Sequence, residues 1–283
     1  VSRLAAAKWC AKDMKNDFFR KLIRHKVGSG KSIATILHEM ELDALTDDLD
    51  SYGLLSAEQL TTKNKGLFED FLNDKWEQII NIYSSEADLA KAYYNKVIGD
   101  SKRAVAVDIG WAGSGFIALK TLFQKEWDID CKLTGIIAGT NSVYSMEPDM
   151  SETFLLDGSL SSYLFSARDN RDIWKKHNPN SGYNLYFELL TSSTEPSFKG
   201  FKLEDEVIKP IFGEPEANAA GIEEIWDGIM TFVKDYTDHF ASYPYMFNIS
   251  GRDAYAPMLL AEGRNERYLK KVYKEFNLTV GVE

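Results

Sequence analysis

Cysteine is nearly absent: Cys10 and Cys131 are the only two in 283 residues. Two cysteines so far apart supply neither a disulfide framework nor the spacing of a zinc site, and they point to a reducing cytoplasm. Histidine is also scarce, with four residues. His25, His38, His177 and His239 never fall three or four residues apart, the spacing that sets two ligands on one helix face, so no structural zinc is expected. Long apolar runs are missing too: none approaches the roughly 20 residues that span a bilayer, and no signal-peptide pattern opens the chain. A soluble, cytoplasmic protein without a transmembrane segment is the expectation. Positive charge is in deficit, 33 Lys and Arg against 43 Asp and Glu, and a net charge of −10 argues against a nucleic-acid surface. One bound phosphate needs only local charge.

What is present is ordinary globular material, 44% hydrophobic and 27% charged, over a length that suits one large domain or two small ones. The chain starts at Val1 rather than Met, and Val1-Ser2-Arg3-Leu4-Ala5-Ala6 lacks the polar fraying of a natural terminus, so a segment of a longer protein is expected. Three regions follow from pattern. Residues 1–31 read as an N-terminal element of an α/β domain, 32–99 as a helical subdomain or lid, and 100–283 as the α/β core with C-terminal helices. In the helical region Ile33, Ile36, Leu37 and Met40 form one stripe, and Phe68, Phe71, Leu72, Trp76, Ile79, Ile80 and Tyr83 another, at the spacing of buried helix faces. A third helix is expected from Asp88 to Val97, closed by Gly99.

Residues 105–139 read as a βαβ unit: an apolar, buried strand Ala104–Val107, a glycine loop, a helix to about Glu126, and a second strand Leu133–Ala138. The fold expected is α/β, a Rossmann-like three-layer parallel sheet with the helical subdomain ahead of it. Residues 141–180 read as loop-rich, punctuated by Pro148, Gly158 and Pro179, with Tyr163, Phe165 and Trp174 as packing anchors. Tyr186–Leu190 fits either a helix end or a strand. Ile222, Ile225, Trp226, Ile229, Phe232, Val233 and Tyr236 mark an amphipathic helix, and a last helix runs from Arg267 to Phe276.

The densest information lies in Val107-Asp108-Ile109-Gly110-Trp111-Ala112-Gly113-Ser114-Gly115, where a strand end, one acid and a helix start meet within a few residues. Glycines at 110, 113 and 115 let main-chain N–H groups approach a bound group, and Ser114 is placed to cap the helix, whose free N–H groups attract anions. Phosphate is the expected guest. The spacing is not the dinucleotide fingerprint, and its nearest likeness is to the ribose-phosphate loop of phosphoribosyltransferases, with Asp108 alone where those enzymes carry two acids.

Two other stretches imitate ligand motifs. Gly28-Ser29-Gly30-Lys31-Ser32 looks like a nucleotide-binding P-loop, but His25 stands where the leading glycine belongs and a basic approach replaces the apolar strand, so a loop and a helix capped near Ser29 or Ser32 are expected. Asp128-Ile129-Asp130 has the two-carboxylate spacing of haloacid-dehalogenase (HAD) phosphatases. Lys125, Glu126 and Trp127 precede it instead of a buried strand, so it reads as a solvated turn.

The ordered series of Ser2-Arg3, Val107–Ser114, Phe187-Glu188-Leu189-Leu190-Thr191-Ser192 and Ile225-Trp226-Asp227-Gly228-Ile229 resembles the C-terminal region of HAD-superfamily hydrolase-like proteins of bacterial surface-polysaccharide loci. The likeness spans nearly the whole chain. It implies a role in glycan assembly, with a HAD domain on the same full-length protein. This chain lacks the phosphatase half and its Arg-Asp-Gly strand, so phosphatase activity is not expected within it.

Two functions are open at this point. In the first, a transferase-like domain binds a sugar phosphate or nucleotide sugar. Asp108 and Arg3 are its catalytic candidates, Asp108 holding a hydroxyl pair or a divalent metal, which leaves the cofactor open, and Arg3 supplying positive charge; Gly110, Trp111, Gly113, Ser114, Gly115, Ser2 and Glu188 are the binding candidates. Trp111 either stacks on a sugar or base or is a core indole, and Glu188 is either a solvated acid, the favoured reading, or a buried one with a raised pKa. In the second, the segment is a non-catalytic interaction or regulatory domain, supported by an aromatic content of 13%.

Overall fold

The computed structural model describes residues 2–140, 151–214, 218–261 and 266–276, with the side chains of Arg3, Lys21, Leu22, Asn180, Ala261 and Glu266 left aside. The chain divides into two compact units. The first comprises Val1–Lys102, Ala118–Cys131 and Phe198–Ile211; the second comprises Arg103–Ile117, Lys132–Ser197 and Phe212–Glu283.

The first unit is helical: α1 (Arg3–Trp9), α2 (Lys15–Phe18), α3 (Ile33–Glu39), α4 (Lys65–Asp74) and α5 (Trp76–Ile98). The two apolar stripes read from sequence close on one another, with Ile36, Leu37, Phe68, Phe71 and Ile79 fully buried. Phe18, Phe19 and Ile23 enter the same cluster. Residues 1–31 therefore belong to the helical unit and not to the α/β part expected for them, because their aromatic side chains find their apolar partners there. The helix expected to start at Asp88 is the second half of α5, a single helix of 23 residues. Nothing between Trp76 and Ile98 breaks it, and Gly99, at φ +52°, ends it as expected.

Ser32 caps α3, its Oγ accepting the Thr35 N–H at 3.1 Å, and Lys31 donates to Glu39 Oε1 at 2.7 Å within the same loop and helix. The P-loop imitation is thus a capped helix start. Lys8 is buried and ion-paired with Glu86 at 2.6 Å and Glu41 at 2.7 Å, while the Trp9 indole donates to Glu86 at 2.8 Å.

The second unit carries β1 (Arg103–Asp108), the first half of α6 (Ser114–Thr121), whose residues from Ala118 on fall in the first unit, and then β2 (Lys132–Gly139), α7 (Ser151–Leu156), β3 (Leu160–Phe165), α8 (Arg171–Lys176) and α9 (Tyr183–Leu190). The hairpin β4 (Phe198–Glu204) and β5 (Val207–Phe212), which turns through Asp205 and Glu206 at positive φ, falls almost wholly in the first unit. Then come α10 (Ala219–His239), α11 (Gly251–Ala261) and α12 (Glu266–Glu275). The strands β1, β2 and β3 form a parallel sheet in that order, with Val107 beside Ile136 and Gly135 beside Leu160. The architecture is the Rossmann-like α/β arrangement anticipated from sequence.

Alternation decides what each face does. Leu133, Gly135 and Ile137 point to the face covered by α6; a Cβ on Gly135 would lie 2.6 Å from the Phe116 ring and 2.7 Å from Leu160, so only glycine fits. The opposite face is open on β1, where Val107 is 76% exposed. The apolar strand expected to be buried is instead an edge strand with one solvated face. The third strand, β3, lies in the stretch expected to be loop-rich, where Ser161 and Ser162 interrupt the apolar run that would have marked it. Asn141–Met150, including Pro148, lies outside the described residues.

Candidate functional site

The parallel strands end beside a loop whose shape follows from two residues. Asp108 closes β1, and its Oδ1 accepts the Gly110 N–H at 2.7 Å, an Asx turn that reverses the chain. Gly113 then adopts φ +63°, a left-handed conformation that glycine takes without strain, and its carbonyl starts α6 by accepting the Ile117 N–H at 2.9 Å. Ser114 is the first helical residue, so the left-handed Gly113 takes the position before the helix that the sequence had suggested for Ser114. The anion nearest the loop's main chain is the protein's own. A Cβ on Gly110 would sit 2.8 Å from Asp108 Oδ1, and one on Gly115 would sit 3.4 Å from Oδ2.

Trp111 settles between its two readings. The indole is buried, stacks on His177 with ring centres 5.0 Å apart and planes at 21°, and lies 5.9 Å from Phe165 in a similar orientation. Its Nε1–H donates to Glu188 Oε1 at 2.7 Å. It is a core indole that pins the loop to the domain. Glu188 is half-buried on α9 and receives that hydrogen bond, a role that neither sequence reading gave it.

Beneath Trp111, His177 is 2% exposed and hydrogen-bonded at both nitrogens, to Tyr255 Oη at 2.9 Å and to Asn184 Oδ1 at 2.6 Å. An amide oxygen only accepts, so Nε2 carries the proton, and Nδ1 accepts from the Tyr255 hydroxyl. Burial pushes the His177 pKa down to about 4, against a smaller upward pull from Asn184, so the ring is neutral near pH 7.

A cavity of about 370 Å³ opens at the carboxyl ends of β1 and β2. Its floor is the open sheet face, Val107 and Ile136 with Tyr163. Its walls are Tyr186 and Leu190 from α9 and Pro257 from α11. Among the described residues, Asp108 is the one carboxylate in its lining, and no lysine, arginine or histidine lines it. Among its polar groups, the Tyr163 hydroxyl donates to the Ile249 carbonyl at 3.0 Å and the Thr191 hydroxyl to the Phe187 carbonyl at 2.7 Å. Burial raises the pKa of Tyr186, which stays a neutral hydroxyl.

Of the residues singled out from sequence, Asp108, Gly110, Trp111, Gly113, Ser114, Gly115 and Glu188 therefore lie in the second unit. Ser2 and Arg3 lie in the first: Ser2 caps α1, its Oγ accepting the Ala5 N–H at 3.2 Å, and the Arg3 side chain is outside the described ones. Sequence reasoning missed the cavity walls and His177, because both depend on which helices return to the sheet. Among the described residues there is no group of three or more His, Cys, Asp and Glu side chains that could hold a metal, and no helix is long and apolar enough to cross a membrane. Comparison with family models, curated proteins and solved structures gives no match, so the reading of this site rests on its own residues and geometry.

Proposed function

We propose that the second unit binds a glycosyl ligand, the sugar portion of a sugar phosphate or nucleotide sugar used in bacterial surface glycan assembly. The observation that carries this reading is the cavity beside Asp108. Ligand sites of parallel α/β sheets lie at the carboxyl ends of the strands, and a volume of about 370 Å³ is at the small end for such sites, with room for one or two rings. A sugar ring has apolar C–H faces and a rim of hydroxyl donors. Tyr163 and Tyr186 offer aromatic surface to the first, and the Asp108 carboxylate accepts from the second. The carboxylate already stands at the loop's main chain and no cation among the described residues lines the cavity, so the ligand's phosphate belongs at the solvent side, away from Asp108. The resemblance to surface-polysaccharide proteins supports the choice of a glycosyl ligand among the compounds that fit. Transfer of the bound sugar is the reaction class this binding would serve.

The test is a thermal-shift series with nucleotide sugars, sugar phosphates and the parent nucleotides. A midpoint that rises with the glycosylated compounds and not with the nucleotides alone supports the reading. Asp108→Asn keeps an oxygen for the Gly110 N–H, and with it the turn, while removing the charge; the shift should disappear in this variant without loss of the folded state. A full panel without response would overturn the proposal.

A further inference from the structure

Helix α10 is the part of the second unit whose sequence promises burial and whose structure withholds it. Its apolar stripe, Ile222, Ile225, Trp226, Ile229, Phe232 and Val233, has the periodicity of a face packed on a core. Only its start is packed. Ile222 is buried, Gly221 lies against the ring of Phe276, and the Trp226 indole donates to the Ser192 carbonyl at 2.8 Å. Beyond that point the stripe opens: Ile229 is 37%, Phe232 65% and Val233 45% exposed, and Met230 beside it is 61% exposed. The segment after the helix folds back, the Tyr236 hydroxyl donating to the Met246 carbonyl at 2.8 Å, and this brings exposed Tyr245 and Phe247 to the same end of the helix. Scattered exposed side chains are normal, but a contiguous apolar face of this extent marks an interaction surface.

Charge decides what covers it. Around the stripe α10 carries Glu223, Glu224, Asp227, Asp235 and Asp238 against Lys234 alone, all exposed, and among the described residues none of these five carboxylates is in an ion pair. A second copy would bring the same acids against themselves in a chain whose net charge is already −10, and an anionic lipid surface would be repelled in the same way. An apolar stripe rimmed by acids fits an amphipathic helix with the opposite rim. We propose that the exposed face of α10 and the adjoining residues 243–249 dock a basic amphipathic helix of a partner protein.

The probe is a 21-residue peptide with leucine at heptad positions a and d and lysine on the remaining face. Two controls share its length: one with glutamate in place of lysine, and one with the lysine composition kept but the leucines scrambled. Calorimetric titration of the full chain should show one lysine peptide bound per chain, with affinity falling as salt rises, and little binding of either control. The double variant Phe232→Ser, Val233→Ser should weaken binding at least tenfold with unchanged circular dichroism, since both side chains are exposed. Glu223→Gln with Glu224→Gln and Asp227→Asn should flatten the salt dependence. Equal binding of the glutamate or scrambled peptide, or no effect of the double variant, overturns the proposal. So does a dimer in sedimentation that Phe232→Ser dissolves, or co-sedimentation with phosphatidylglycerol vesicles.

Discussion

An indole in a glycine loop can face a ligand or the core, and at Trp111 the hydrogen-bond partner decides. The Nε1–H reaches Glu188 only when the ring lies inward, against His177 and Phe165. Trp111→Phe keeps most of the ring contact and removes the donor, so it should lower unfolding stability by about 1–3 kcal/mol in urea titration, the worth of a hydrogen bond to a charged group. His177 gives a pH signature. Its folded pKa, about 4, lies below the ordinary value of 6.5, so between these pH values the unfolded chain binds more protons than the folded one. The stability contributed by the neutral ring is complete above pH 6.5 and is lost as pH falls from 6.5 toward 4. The loss amounts to about 3 kcal/mol at roughly 1.4 kcal/mol per pH unit. Denaturant unfolding at a series of pH values should show that slope, and His177→Gln should remove this part of it.

At the scale of elements, β2 and α6 are locked by an absence. Gly135 leaves room for Phe116 and Leu160, and Gly135→Val would drive a branched side chain into both. Overpacking of this kind costs about 1–3 kcal/mol or more, and a lowered thermal midpoint is the expected result. In the helical unit the pair of Lys8 and Glu86 does comparable work. Glu86→Ala leaves a buried ammonium with only the half-exposed Glu41 and strands the Trp9 N–H, so a loss of about 3 kcal/mol is expected by urea unfolding. Much of this level was legible in the sequence. The stripes on α3, α4 and α5, the cap at Ser32, the βαβ unit and the stop at Gly99 each follow from local spacing and backbone preference. β3 was not legible, because Ser161 and Ser162 hide its alternation and its pairing partners, such as Gly135 for Leu160, lie far upstream in β2.

Across the whole molecule, stability should be unevenly distributed. Helices α5 and α10 are of similar length, 23 and 21 residues, but Trp76, Ile79, Tyr83 and Ala90 of α5 are buried while α10 buries Ile222 alone. Amide hydrogen exchange should therefore be slow along the first half of α5 and fast over Met230–His239, since tertiary packing supplies most of a helix's stability. Equal protection of the two helices would contradict the exposure described for α10.

The sequence by itself determined the local chemistry: the strand end at Asp108, the glycine loop that turns into a helix after it, the helical periods and the excess of acid. These depend on neighbours a few residues apart, and φ/ψ preference and side-chain spacing encode them directly. Only the tertiary structure decided that Trp111 faces inward, that β1 is an edge strand with a solvated face, and that α9 and α11 wall a cavity beside Asp108. Each of these depends on which distant residue arrives to cover an apolar surface, and hydrophobic burial has no direction along the chain that a sequence pattern could record.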